Sequence, residues 1–275
     1  MTKPFLILLF LSVHFIINGQ TVRRPVAAVY VGLGSYSIHH VDVFSFTNNQ
    51  ASLAQMKNAA AGIYGEKRFM LNELSLYQFA IAVPTNSGNF GIKAGYFGFS
   101  DYNESQMGLA YARKLGSKVD IGVQFNYNGI QASGYGGATA INFEIGTVFH
   151  LTDELNAGVH AYNPVGGKFG KNAEEKLASI YTVGLGYEAS DKFFVSAEIE
   201  KEENQTVSVN AGMQYKFLPQ FMIRAGIATN TSNLYGGASL FLKTFRLDVV
   251  ASYHPQLGIT PGLMLVYNFS KKENE

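Results

Sequence analysis

At 275 residues, with a formal net charge of +1 and only 15% charged side chains, the chain lacks the Lys/Arg excess that counterion release on nucleic acid requires. The absence of cysteine removes disulfides, thiolate metal sites and a lipidated cysteine anchor. The 29 Gly, 21 Phe and 16 Tyr suit many strands joined by tight turns.

Lys3 precedes a nearly unbroken apolar run from Phe5 to Ile17, and the small Gly19 precedes Gln20. This pattern predicts an export signal over 1–19, cleaved before Gln20. The run is too short to cross a bilayer as a helix, which takes roughly 20 apolar residues. No later run reaches the length of a helical span, so membrane insertion would have to use strands.

Residues 20–57 escape any simple period and are expected to form a segment ahead of the first strand, folded into a barrel lumen as a plug. Within it, Ala51, Leu53, Ala54 and Met56 suit a short helix capped by Asn48 or Asn49.

From residue 58 onward an alternating pattern recurs. It predicts strands over 58–69, 73–84, 89–100, 104–115, 117–128, 138–150, 154–162, 178–189, 192–201, 205–216, 219–228, 233–242, 245–254 and 259–269. Soluble strands cluster near about 5–6 residues, whereas a tilted strand crossing a bilayer needs about 9–11. The fold class read from this pattern is all-β: a transmembrane antiparallel barrel of about fourteen strands over 58–270, followed by a charged periplasmic tail, 271–275. The connections sort accordingly. TNSG (85–88), GS (116–117), LTDE (151–154), SD (190–191), LP (218–219) and KT (243–244) would be short periplasmic turns. The two longest connections, NGIQASGYGG (128–137) and 163–177, fall on the outer side.

The faces decide which side meets lipid. Val119, Ile121, Val123, Phe125 and Tyr127 alternate with Asp120, Gly122, Gln124, Asn126 and Asn128. A closed barrel of about fourteen strands is too wide for inward apolar side chains to fill, since about eight strands is already the packable width. The apolar face therefore points to lipid, and Tyr96, Tyr127, Tyr187, Tyr215, Tyr253 and Tyr267 would form interfacial girdles. By the same alternation Lys93, Asp120, Glu144, His160, Glu188, Glu198, Arg224, Arg246 and Asp248 point inward, where opposite charges on neighbouring strands would pair. Such residues suit a solvated or plug-contacting lumen, or a conduit whose plug moves.

The element Asn49-Gln50-Ala51-Ser52-Leu53-Ala54 resembles the Asn-Pro-Ala-x-Leu-Ala hatch motif of FadL-type outer-membrane barrels and their PorV and PorQ relatives, with Gln50 in place of the usual Pro. The resemblance implies a bacterial outer-membrane location and two alternative uses. FadL-type barrels move small hydrophobic compounds through a hatch-gated lumen, whereas PorV-like relatives are adaptor subunits of a secretion machinery. A transporter is expected to present a concave apolar capture surface. The outer connections here are mostly short, and VGGKFGKNAEEKL (165–177) is charged. The expectation drawn from this is an accessory barrel in a secretion or assembly complex, with partner subunits and outer-membrane lipid as its contacts. The alternative is a transporter that takes a small hydrophobic ligand.

Catalytic and metal readings are weaker. His39 and His40 are adjacent, so on a strand they face opposite ways and cannot share an ion. GLGS (32–35) lacks the end of a phosphate loop, and no Gly-x-Ser-x-Gly elbow occurs. No cofactor and no enzymatic activity are expected. A soluble secreted sandwich or propeller is the third architecture compatible with short alternating segments.

Overall fold

The computed structural model describes residues 33, 35–170, 175–229 and 233–269. The export signal expected over 1–19, the tail expected over 271–275 and part of the GLGS turn lie outside the described residues.

Sixteen strands follow in chain order. The first half comprises β1 (Ala60–Lys67), β2 (Ser75–Thr85), β3 (Gly88–Gly98), β4 (Tyr102–Leu115), β5 (Val119–Ala132), β6 (Gly136–His150), β7 (Leu155–Tyr162) and the short β8 (Lys168–Phe169). The second comprises the short β9 (Glu175–Lys176), then β10 (Ile180–Ser190), β11 (Phe193–Glu202), β12 (Ser208–Leu218), β13 (Phe221–Ala228), β14 (Asn233–Leu242), β15 (Phe245–His254) and β16 (Gly258–Asn268). All but β8 and β9 join one closed barrel of fourteen strands, antiparallel throughout. Pairing of Ala60 with Asn268 through Glu66 with Gly262 closes the circle between β1 and β16. Closure leaves no sheet edge, which is the condition for strands to cross a bilayer with every backbone group satisfied. Among the described residues no helix is long and apolar enough to cross a membrane.

The outward faces are apolar and the inward ones buried. On β5, Val123, Phe125 and Tyr127 are about half exposed, while Asp120, Gln124, Asn126 and Asn128 are buried. This inverts the arrangement of a soluble protein and matches a wall whose solvent is lipid.

One expectation about the connections needs correction. The stretch 128–137 is not a long loop: β5 runs to Ala132 and β6 starts at Gly136, leaving only residues 133–135 between them. The pairing continues because Gly129, Gln131 and Ala132 keep a regular register with Thr139, Gly137 and Gly136, and Gly134 and Gly136 supply positive φ at the turn. The connection after β7, by contrast, carries the β8–β9 hairpin, whose Phe169, with the adjoining Leu177, packs on Ala140 at the outer end.

The lumen is filled. Ser35–Lys57 runs through it and buries Tyr36, Val43, Phe44, Phe46 and Leu53. Val43, Phe44, Phe46 and Leu53 pack against one sector of the wall, where Tyr64, Leu76, Ala80, Ala82, Ala110, Val250, Met264 and Val266 point inward, whereas Tyr36 sits over the glycines of β7 and β10. The expectation of a polar bore therefore holds for only part of the circumference. The sector around β16, β1 and β2 is apolar inside as well as outside.

Placing a charge on the lipid face at mid-strand carries a cost of about 2–4 kcal/mol at the bilayer midplane. Phe125→Arg is therefore expected to lower unfolding stability in liposomes by that amount, read from chemical denaturation. The neighbouring lumen substitution Gln124→Asn should leave lipid insertion intact.

Candidate functional site: the filled lumen and a groove in the wall

The segment 50–55 is a short 3-10 helix, Gln50–Gln55, and its cap is Asn49, whose side chain accepts from the Ala51 N–H at 3.0 Å. Asn49 Nδ2 also donates to the carbonyls of Thr147 (3.4 Å) and Val159 (3.3 Å) on the wall. Glycines make room for this helix. A Cβ at Gly122 would lie 2.4–2.6 Å from the backbone of Gln50 and Ala51, and one at Gly146 would lie 2.0 Å from Asn49 Oδ1. Further round, Gly158, Gly184 and Gly186 seat Tyr36, and Gly62 seats Phe44 and Val43. Ala51 and Ala54 are buried in the same seat, and Leu53 packs over Gly91.

Glu144 is the hub of the polar sector. Its Oε2 accepts from Gln50 Nε2 at 2.7 Å and lies 2.9 Å from His160 Nε2. Its Oε1 accepts from Gln124 Nε2 and Asn126 Nδ2, each at 2.8 Å, and from Lys93 Nζ at 3.4 Å. Gln50, the residue standing where the hatch motif has Pro, thus supplies a side-chain donor that Pro lacks. Asp120 accepts from Gln55 Nε2 at 2.6 Å and sits 3.0 Å from His150 Nε2, whose other ring nitrogen is 2.6 Å from Asn156 Oδ1. Glu188 accepts from the Ile38 N–H and from Asn156, and Glu198 accepts from Tyr36 Oη and Asn210 Nδ2, both at 3.0 Å. Arg246 Nη2 reaches Asp42 at 2.6 Å and Asp248 at 2.9 Å, with Arg224 3.4 Å from Asp248 and 3.8 Å from Asp42.

All nine inward residues named from the alternation are buried. Glu144 and His160 pair on the neighbouring strands β6 and β7 as expected, and other pairs depart from that pattern. Lys93 on β3 reaches Glu144 on β6 along the inner face of the wall, over Gly108 of β4, and Arg246 and Asp248 pair within β15 and with Asp42 of the N-terminal segment. At Lys93 the missing side chain of Gly108 on β4 lets it lie flat toward Glu144, and at Arg246 the N-terminal segment places Asp42 in front of the guanidinium. Sequence reasoning missed Tyr36, Asp42, Gln55, Asn89, His150 and Asn156. Asn89, His150 and Asn156 share the inward phase of their strands and were within reach of that signal; Tyr36 and Asp42 lie where no period exists. Among the described residues no group of three or more His, Cys, Asp or Glu is arranged to hold a metal ion. His40 instead stacks on Phe194 at 5.4 Å. At the outer end Lys176 donates to both Glu203 oxygens, at 2.7 and 2.8 Å, which holds that carboxyl below its ordinary range.

A second concavity lies in the wall. Ile63, Tyr77, Phe79, Tyr96, Leu263 and Leu265 rim an apolar groove of about 570 Å³ over the small residues Gly65 and Ala94. It spans β16, β1, β2 and β3. At its back, Gln78 pairs with Gly95, and both of these inward positions also line a narrow cleft with Leu76, Phe97, Glu104 and Gln106. A Cβ at Gly95 would meet only ordinary contacts, at 3.7 and 3.8 Å, so the wall is thin there without being packed.

No family model matches the chain, and no curated protein does. Solved structures do. The toluene transporter TodX of Pseudomonas putida is 11% identical, with a TM-score of 0.63 over 91% of this chain and 98% of that one. The toluene transporter TbuX of Ralstonia pickettii is 12% identical, with a TM-score of 0.62 over 92% and 99%. A FadL homologue of Pseudomonas aeruginosa is 12% identical, with a TM-score of 0.61 over 91% and 98%. The chain has the fold of a FadL-like barrel of the bacterial outer membrane. The expected PorV-like adaptor role is overturned, because two of these neighbours are described as toluene transporters and the third as a FadL homologue. An apolar concavity is present, in the wall and not in the outer loops.

Two variants test the lumen. Gly122→Ala forces the Gln50–Ala51 backbone off its seat, at about 1–3 kcal/mol for such overpacking. Thiol labelling of a buried Ser52→Cys reporter should speed up about tenfold or more while the barrel stays closed. Glu144→Gln should cost about 3 kcal/mol or more in unfolding stability, because it leaves the Lys93 ammonium beside a neutral amide. Adding Lys93→Met should recover a substantial part of that loss in a double-mutant cycle.

Proposed function

We propose that this protein passes small hydrophobic molecules across the outer membrane, without catalysis, with residues 20–57 acting as a hatch that keeps the lumen closed. The observation that carries the reading is the apolar groove of about 570 Å³ in the wall of a FadL-like barrel. Its volume falls within the roughly 300–1,000 Å³ of small-molecule sites, and its rim of Tyr77, Phe79 and Tyr96 offers flat aromatic faces to an apolar guest.

The same geometry favours a route through the wall over one through the hatch. The hatch is held to the bore by Gln50, Gln55, Tyr36 and Asp42 and by the packing of Phe44 and Phe46. At Gln78–Gly95, by contrast, the inner cleft and the outer groove lie back to back across the β2–β3 ladder, where a passage requires the two strands to part but displaces none of the apolar core. The neighbours described as toluene transporters and monoaromatic hydrocarbon channels make a compact aromatic hydrocarbon the first ligand class to test.

Filling the groove with Ala94→Trp should reduce uptake of a labelled toluene-sized probe into proteoliposomes at least about tenfold, with heat-modifiable gel migration unchanged. Uptake equal to wild type in a folded Ala94→Trp barrel would reject the groove as the route.

A further inference from the structure

We propose that a cleft at the end of the barrel carrying the short turns binds the headgroup of an anionic glycerophospholipid from the periplasmic leaflet. The cleft is distinct from the groove and has a volume of about 320 Å³. It lies between the end of the N-terminal segment (Gln55–Lys57), the β2–β3 turn (Thr85–Gly88) and the end of β4 (Arg113, Lys114). Three cations line it, and no carboxylate does. Lys114 donates to Gln55 Oε1 at 2.8 Å, and Asp120, opposite it in register, is engaged by Gln55 and His150. Lys57 and Arg113 are exposed and have no ion pair among the described residues. Lys114 points inward to Gln55, whereas Arg113 shares the outward phase of Tyr111, so the exposed cations at the cleft's rim are Lys57 and Arg113; with no carboxylate beside them they suit an anion with several acceptor oxygens, for which Arg offers a fork and Lys a point charge.

The membrane edge of the cleft says which anion. Tyr111 closes it: its hydroxyl donates to the Ser87 carbonyl at 2.6 Å, and its ring covers Gly88, whose φ of +135° and lack of Cβ permit that approach. Phe90 packs against Tyr111 at 5.1 Å between ring centroids. Beyond this pair the outward wall continues as exposed Ile92 and Leu109. A phosphate held at the rim by Arg113 and Lys57 would have its acyl chains running onto that apolar strip, on the same outward face as Arg113, with the aromatic pair at the headgroup boundary. A free anion would make no use of the strip.

The test uses the full chain in mixed micelles holding equal phosphatidylglycerol and phosphatidylethanolamine, with retained lipid counted by native mass spectrometry. Wild type should retain phosphatidylglycerol about fivefold or more over phosphatidylethanolamine, and millimolar inorganic phosphate should not displace it. The preference should fall to near unity in Lys57→Glu/Arg113→Glu, whose altered side chains are exposed and whose closure is checked by gel migration, and should survive in Arg113→Lys. Equal retention of the two lipids by wild type, or an unchanged preference in the double variant, refutes the site. Displacement by inorganic phosphate refutes the lipid assignment and leaves a simple anion cleft.

Discussion

The width of a closed circle of fourteen strands is the constraint on which the rest of the molecule depends. Every backbone donor and acceptor of the wall is satisfied only if the sheet closes, yet a circle of that size encloses more volume than its own inward side chains can fill. The N-terminal segment meets that requirement. Its Phe44, Phe46 and Leu53 complete an apolar core with the sector around β16, β1 and β2, and Gln50 and Gln55 complete a hydrogen-bonded core with Glu144 and Asp120. The inward glycines follow from the same need. Where the segment's backbone comes closest, at Gly122 and Gly146, any side chain on the wall would occupy the same space.

The buried carboxylates illustrate how such a core remains affordable. An isolated ionised carboxylate in this setting would be strongly disfavoured, and each is surrounded by donors. Glu144 has amide, imidazole and ammonium partners, and Asp248 has two guanidinium groups. Because the donors come from both wall and segment, the segment and the wall specify each other. The arrangement is one of matched polar groups whose separate removal leaves a buried charge without part of its solvation.

Most of the wall was legible in the sequence because period-2 alternation over membrane-length segments is a local property. Each of the fourteen expected strands corresponds to a barrel strand within a few residues, as with 245–254 and β15. Legibility failed where polarity contrast failed. On β16, Met264 and Val266 point inward while Leu263 and Leu265 point outward, and on β2 the inner face differs from the outer in size rather than polarity, Ala80 and Ala82 against Phe79 and Val83. The apolar sector of the lumen was hidden for that reason. The groove was hidden for another: Leu263 and Leu265 are far from Ile63 and Tyr77 in the chain and become neighbours only when β16 closes on β1. The partners inside the lumen are likewise set by where the aperiodic segment runs, which no local pattern encodes.

The balance between the two cores bears on how anything could cross the wall. Withdrawing the N-terminal segment would admit water to the polar sector, and water would replace much of what Glu144 and Asp120 lose. Water offers no such replacement to the apolar sector. Phe44, Phe46 and Leu53 are completely buried, and each would forfeit about 1.5–3 kcal/mol on exposure. Three such side chains already amount to a large share of the 5–15 kcal/mol by which a typical domain is stable. Side-chain movement at Gln78 beside Gly95 uncovers little apolar area, but the β2–β3 ladder runs unbroken through this pair, so a passage there also requires the two strands to separate. The apolar core inside the barrel and the apolar groove outside it are therefore two consequences of one sector of wall. The core makes the bore costly to open, and the groove lies on the outer face of the same strands.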